Sequence, residues 1–220
     1  MKRRDGLTLL AASLGLPALA QEGAFRPQAG RDYQRLHQPL ARPVQGKLEV
    51  VEFFWYGCPH CLALEGAIQA WAKTLPAHVS FRQVAVPIRG HSVAHQRLFF
   101  VLQALGVEAQ FRPAIFKALH AQGLALGKPA EMIQLLQPLG LDPVQFERTW
   151  AAFDPKSFSA AQIRAADQLA DAYGMDAVPL LGVGGLYTTA PSRFERAPAG
   201  EANRLALQTV DFLIQNFGKA

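Results

Sequence analysis

Hydrophobic residues run almost without interruption from Leu48 to Tyr56, and glycines at positions 46 and 57 bound the run. A short apolar run between two such breakers predicts a buried strand. From Leu62 to Trp71 the apolar residues recur at helical spacing, which predicts a helix that begins at Cys58-Pro59 and ends at Leu75-Pro76. Proline suits the first turn of a helix, because its missing N–H would have no partner there.

The remaining pattern places further strands on both sides of a helical middle section. Four more strands are predicted, near Tyr33–Leu36, Val79–Val86, Pro179–Val183 and Leu186–Thr189. The last two are separated by Gly184-Gly185, which is typical of a hairpin turn. Helical patterns occupy residues 91–150, 159–173 and 201–217.

This order of elements predicts an α/β fold, with one mixed sheet flanked by helices and an all-helical domain inserted between the two halves of the sheet. We expect the first part of the sheet domain over residues 21–89, the inserted helical domain over 90–158 and the second part over 159–220.

The N-terminus has the pattern of a secretory signal peptide. The basic segment Lys2–Arg4 is followed by the apolar stretch Leu7–Leu19, which ends in the small-residue triplet Ala18-Leu19-Ala20. This arrangement predicts export and cleavage between Ala20 and Gln21. The paired arginines before the apolar stretch also permit a twin-arginine route. The mature protein is then expected in an oxidising compartment, where a disulfide can persist.

Composition limits the classes of function. The chain has 220 residues, 50% of them hydrophobic, which is enough for one sizeable core. Cleavage of the signal removes three basic residues and Asp5, so the formal net charge falls from +5 to +3. The remaining Lys and Arg are scattered without aromatic interleaving, so nucleic-acid binding has no support. No later segment reaches the roughly 18 apolar residues that a membrane helix needs, so we expect a protein that is not membrane-embedded.

The only two cysteines, Cys58 and Cys61, enclose Pro59 and His60. A cross-link over so short a loop removes little entropy from the unfolded chain, so the pair is a poor staple and better suited to reversible redox chemistry. The start of a helix and His60 should both lower the pKa of Cys58. Cys61, one turn further along, is expected to be more buried and to act as the resolving thiol.

The cysteine pair could also have a role other than redox chemistry. One C-x-x-C is half of a zinc site, and His91 and His95, four residues apart on a predicted helix, could complete it in a metal carrier. Covalent haem attachment is excluded because Leu62, and not histidine, follows the second cysteine. A redox pair remains the leading hypothesis, with no metal and no cofactor.

The segment Val50-Val51-Glu52-Phe53-Phe54, followed by Cys58-Pro59-His60-Cys61 and later by Ala177-Val178-Pro179, resembles the DsbA family of periplasmic thiol-disulfide oxidoreductases. The resemblance covers nearly all of the mature chain. It implies a thioredoxin-like fold and donation of the Cys58–Cys61 disulfide, through a mixed disulfide at Cys58, to unfolded exported polypeptides. It further implies reoxidation by a DsbB-type membrane quinone reductase.

The resemblance also assigns roles to residues outside the cysteine pair. Pro179 corresponds to a cis-proline that faces the active site, and Val178 presents backbone groups to a bound peptide. Glu52 corresponds to a buried carboxylate that helps to move the proton of Cys61. The family often places a lysine near that carboxylate, whereas this chain offers Gln83. We therefore expect Glu52 to have no cationic partner and a raised pKa.

Further expectations concern the side chains near Glu52 and the cysteines. Arg82 should point to the opposite face of its strand from Gln83. Trp55 and Tyr56 are expected either to form part of a client groove or to pack in the core.

An isomerase or a reductase is the nearest alternative within redox chemistry. No N-terminal dimerisation segment is evident, and we expect a monomer.

Overall fold

Five strands form one mixed sheet in a computed structural model that describes residues 25–40, 46–88, 92–154, 157, 160–198 and 200–218. The strands are β1 (Gln34–Arg35), β2 (Leu48–Phe54), β3 (Val79–Ala85), β4 (Leu180–Val183) and β5 (Tyr187–Thr189). Their order across the sheet is β1-β5-β4-β2-β3. The predicted signal peptide, residues 1–20, lies outside the described residues.

The apolar strand β2 lies inside the sheet. It pairs in parallel with β3, from Leu48 opposite Val79 to Phe54 opposite Ala85, and antiparallel with β4. All five residues from Val50 to Phe54 are buried, as expected for a strand covered on both faces. Strands β4 and β5 form a hairpin whose turn contains Gly184 and Gly185, both with positive φ. Because glycine has no Cβ, it adopts this backbone region without steric cost.

Within the described residues, seven α-helices flank the sheet or lie between its halves. They are α1 (Pro59–Ala72), α2 (Ser92–Ala104), α3 (Glu108–His120), α4 (Pro129–Leu136), α5 (Pro143–Ala152), α6 (Ala161–Ala172) and α7 (Glu201–Gln215). Two 3₁₀ helices cover Gln137–Leu139 and Pro191–Phe194. Within the described residues 92–154 the regular structure is entirely helical.

The predicted mixed sheet flanked by helices is confirmed. The first helix ends at Ala72, three residues before the expected stop at Leu75-Pro76, and most other ends differ by one or two residues. The proposed domain boundaries, at 89/90 and 158/159, fall outside the described residues and stay predictions.

Apolar side chains pack on both faces of the sheet. One core lies between the sheet and the helices α2 to α6, and includes an aromatic cluster in which Phe54 contacts Tyr56 and Phe99 edge to face. The other core lies beneath α1 and α7. Tyr56 is fully buried in the first core, so its suggested place in a client groove is wrong; Trp55 is half-buried.

Candidate functional site

Strand β2 and helix α1 together position the two cysteines. Cys58 is the N-cap residue of α1, with extended backbone, and Pro59 occupies the first turn of the helix. Both cysteines are free thiols in this structure. Cys61 is 1% exposed and Cys58 is 6% exposed, so Cys61 is the more buried of the two, as predicted. Cys58 is itself nearly buried.

The surroundings of Cys58 lower its pKa to about 6. The largest cause is a hydrogen bond from the Cys61 thiol, which stabilises the thiolate. Burial acts in the opposite direction, and the backbone N–H groups of Cys61 and His60 then lower the pKa further. The charge of the exposed His60 side chain also lowers the pKa of Cys58, but its effect is smaller than those of the thiol and the backbone groups. The predicted direction is confirmed, but the neighbouring thiol and the helix start contribute more than the imidazole.

The pKa of Cys61 is shifted in the opposite direction to that of Cys58. Burial is the main cause of a strongly raised pKa, and the hydrogen bond to Cys58 and the negative charges of Cys58 and Glu52 act in the same direction. Two thiols within one helical turn therefore differ in their preferred protonation state, with a thiolate at Cys58 and a neutral thiol at Cys61.

The loop that precedes β4 brings a second part of the chain to Cys58. The Val178–Pro179 peptide bond is cis, as the resemblance predicts. The Cys58 sulfur lies 3.3 Å from the Val178 carbonyl oxygen, to which it donates a hydrogen bond when it is protonated. Val178 is half-buried and Pro179 is buried. The reactive sulfur thus lies beside a backbone carbonyl that is 120 positions away in the sequence.

Glu52 is 1% exposed on strand β2 and directly opposite Gln83 of β3. The Gln83 Nε2 donates a hydrogen bond of 2.7 Å to the Glu52 Oε2. Burial raises the pKa of Glu52 to about 8, and the hydrogen bond from Gln83 offsets part of this rise. The predicted direction is confirmed. Arg82, on the opposite face of β3 as predicted, pairs with Glu49 at 2.7 Å.

A buried ionic cluster lies next to Glu52, and its residues were not predicted from the sequence as part of the site. Arg112 of α3 lies 2.8 Å from a Glu108 oxygen and 3.5 Å from a Glu65 oxygen, and the Tyr56 hydroxyl donates to Glu108. The expectation that Gln83 stands beside Glu52 where the family often has a lysine is confirmed. Arg112 lowers the pKa of Glu52 from within this cluster, while its guanidinium pairs with Glu65 and Glu108. The available signal was the i,i+4 spacing of Glu108 and Arg112 on α3.

His95, named as a possible metal ligand, is part of a hydrogen-bonded chain. Its Nδ1 accepts from the Trp55 indole N–H at 2.9 Å, and its Nε2 lies 2.8 Å from the Ala125 carbonyl oxygen. His91 lies outside the described residues. Among the residues that the structure describes, no group of three or more His, Cys, Asp and Glu side chains could hold a metal ion.

No helix in the described ranges combines the length and the apolar character that crossing a membrane requires.

Comparison with known proteins identifies relatives along most of the chain. A family model, the DSBA-like thioredoxin domain, matches residues 49–196. The thiol:disulfide interchange protein DsbA of Azotobacter vinelandii is 43% identical over 188 residues, which are 84% of this chain and 82% of that protein. The protein of the same name from Burkholderia cepacia is 35% identical over 212 residues, or 95% of each chain.

Solved structures show the same similarity. Pseudomonas aeruginosa DsbA superposes with a TM-score of 0.77 at 34% identity, over 86% of this chain and 94% of that chain. The oxidoreductase DsbA of Xylella fastidiosa has a TM-score of 0.73 at 27% identity, over 88% and 99% of the two chains. The range matched by the family model, residues 49–196, contains helices α1 to α6 and the positions of both cysteines.

Proposed function

The chain belongs to the DsbA-like thioredoxin family, and we propose that it donates a Cys58–Cys61 disulfide to the thiols of newly exported polypeptides. Its relatives are thiol:disulfide interchange proteins, and it is an enzyme of that class, a thiol:disulfide oxidoreductase. The observation that carries the proposal is the contrast within one helical turn. The pKa of Cys58 is lowered to about 6, whereas burial raises that of Cys61.

In the first step a client thiolate attacks the Sγ of Cys58. A bond forms between the client sulfur and Cys58, the Cys58–Cys61 bond breaks, and the electron pair departs on the Sγ of Cys61. Attack at Cys58 is supported by its larger exposed fraction, 6% against 1% for Cys61.

The departing Cys61 thiolate needs a proton, because its buried surroundings favour the neutral thiol. Glu52 interacts electrostatically with Cys61 and, with a pKa of about 8, carries a proton at neutral pH. We assign it as the proton donor in this step and as the acceptor when the pair is reoxidised.

In the second step another client thiolate attacks the client sulfur of the mixed disulfide. The client disulfide forms, and Cys58 departs as a thiolate. Two electrons have then passed from the client dithiol to the Cys58–Cys61 pair. Because a lowered pKa stabilises Cys58 in its reduced form, the equilibrium favours donation of the disulfide. This supports an oxidase over a reductase or an isomerase.

The loop at Val178 and Pro179 is proposed as the place where a client peptide binds. The Val178 carbonyl already approaches the Cys58 sulfur, so a peptide held by backbone hydrogen bonds at this loop would have its own sulfur close to Cys58. Pro59 and His60 complete the site, the first by starting the helix at Cys58 and the second by adding positive charge.

Localisation and reoxidation belong to the same proposal. The signal-like pattern of residues 1–20 supports export to the periplasm, and membership of the family supports reoxidation by a DsbB-type membrane quinone reductase.

Equilibration with glutathione buffers, read by tryptophan fluorescence, tests the direction of electron flow. We expect a reduction potential well above that of thioredoxin, so that the protein is oxidised only in strongly oxidising buffers. A potential near the thioredoxin value of about −270 mV would overturn the oxidase assignment. The Cys58→Ser variant should show no redox transition. Stoichiometric zinc or copper held by the reduced cysteines would instead favour the metal carrier.

A further inference from the structure

A continuous set of polar contacts connects the inserted helical segment to Glu52. From α3, Arg112 reaches Glu65 of α1 at 3.5 Å, and the Gln83 amide nitrogen of β3 lies 3.4 Å from the same Glu65 oxygen. That amide nitrogen also donates to Glu52 at 2.7 Å. Glu52 and Glu65 therefore share one amide group, and the cation of the cluster contacts only Glu65 of the two.

The position of Arg112 is strongly constrained. Its side chain is 6% exposed, and its guanidinium also pairs with Glu108 at 2.8 Å. The guanidinium carbon lies 4.7 Å from the centre of the Phe54 ring and 5.9 Å from those of Tyr56 and Phe99. A buried cation that is enclosed by aromatic rings and by two carboxylates has little freedom to move towards Glu52.

We propose that Arg112 is a positioning residue for the thiol chemistry: its charge, held beside Glu65 and away from Glu52, offsets the repulsion between the two carboxylates and so limits how tightly Glu52 holds its exchangeable proton. Two carboxylates that share a site do not both ionise readily, and a cation beside one of them weakens its effect on the other. The inference rests on the proposed function, since the hold of Glu52 on its proton matters for catalysis only if Glu52 exchanges that proton with Cys61.

The groups that face Glu52 come from three elements. Strand β3 contributes the neutral Gln83. Glu65 of α1 and Cys58, the N-cap residue before α1, raise the pKa of Glu52 through their negative charges. The start of α1 also contributes Cys61, which interacts with the Glu52 charge. Helix α3 contributes Arg112, which lowers the pKa of Glu52. Glu65 and Arg112 therefore act on Glu52 with opposite signs, and their removal should have opposite effects.

The test is a direct titration of Glu52 by carbon NMR of the reduced protein with labelled glutamate carboxyl groups. The Glu52 signal is assigned by its loss in the Glu52→Gln variant. Arg112→Met should raise the pKa of Glu52 by about 1 pH unit, and Glu65→Gln should lower it. In disulfide-transfer assays, the pH dependence of the Cys61 proton step should move in the same two directions.

Two control variants separate positioning from general damage to the fold. Arg112→Lys keeps the charge and should leave the Glu52 titration near its native midpoint. Arg82→Met removes an exposed cation from the opposite face of β3 and should not move it. If Arg112→Met does not fold, Glu65→Gln remains decisive, because the Glu65 side chain is 18% exposed and can be replaced by an isosteric amide.

The outcomes distinguish the two hypotheses. Shifts of the same sign in Arg112→Met and Glu65→Gln, or the absence of a shift in Glu65→Gln, would overturn the role of Arg112 even if the native protein transfers disulfides. Opposite shifts in a protein that transfers no disulfide would leave the role of Arg112 intact and remove the proposed function.

Discussion

At the scale of single residues, Cys58 and Cys61 differ because one helical turn places them in different environments. Cys58 is the N-cap residue, where unpaired N–H groups favour a negative charge. Cys61 points into the core, where desolvation disfavours that charge. The thiol of Cys61 then donates to the thiolate of Cys58, so each sulfur reinforces the protonation state of the other.

Two variants test which neighbour of Cys58 has the larger effect on its pKa. In Cys61→Ala the hydrogen bond with the largest effect on Cys58 is lost, so the pKa of Cys58 should rise clearly above about 6. In His60→Ala only a smaller charge effect is lost, so the rise should be smaller. The measurement is the thiolate absorbance of the reduced proteins against pH. A larger rise in His60→Ala would show that the imidazole, and not the second thiol, dominates.

At the scale of elements, the register of β2 and β3 determines which side chain meets Glu52. Parallel pairing puts Gln83 opposite Glu52, while Arg82 lies on the other face with Glu49. Because side chains alternate along a strand, a slip of one residue would exchange Gln83 for a neighbour of very different character. Because this alternation is a general property of strands, the sequence was enough to predict that Arg82 and Gln83 lie on opposite faces of β3.

The register leads to a prediction for Gln83→Lys. An ammonium group beside Glu52 should favour the carboxylate and lower its pKa from about 8. The pH dependence of the Cys61 step in disulfide transfer should then move to lower pH. The matched control is Arg82→Lys, which changes the neighbouring position on the opposite face. Identical pH–rate profiles for Gln83→Lys and the native protein would contradict the proton-transfer role of Glu52.

A second element offers a test of stability without a change in chemistry. Asp142 caps α5 by accepting hydrogen bonds from the backbone N–H groups of Val144 at 2.9 Å and Gln145 at 3.1 Å. Asp142→Ala should lower the free energy of unfolding by about 1 kcal/mol. Urea unfolding measures the change, and Asp142→Asn, which keeps an acceptor, is the control. The pKa of Cys58 should not move, since α5 contributes no group to the site as described.

At the scale of the whole molecule, the parts of the site that the sequence pattern missed are those supplied by distant segments. The strand before the cysteines and the helix start at Pro59 follow from local patterns, and both could be predicted. Arg112 comes from a helix of the inserted segment, and its contact with Glu65 depends on how that segment packs against the sheet. The contact between Cys58 and the loop at Val178 likewise joins segments that are far apart in the sequence. Periodicity carries no information about such tertiary contacts.

The protonation of Cys58 also couples redox state to the stability of the whole fold. Its pKa in the folded, reduced protein is about 6, below the value of about 8.5 for a free cysteine. A lowered folded-state pKa stabilises the reduced fold fully above the unfolded value, and this contribution is lost as pH falls through the folded value. The disulfide form has no thiolate at this position and lacks the contribution.

The measurable quantity is the difference in unfolding free energy between the reduced and the oxidised protein. We expect this difference to increase in favour of the reduced form between about pH 5 and pH 8.5. Glu52, whose raised pKa makes stability fall as pH rises through about 8, is present in both forms, so its effect largely cancels. Urea unfolding of both forms across this range provides the data. The Cys58→Ser variant forms no disulfide, and its unfolding free energy relative to that of the oxidised native protein should lack the increase. A difference that does not change with pH would mean that Cys58 is not a stabilised thiolate in the folded protein.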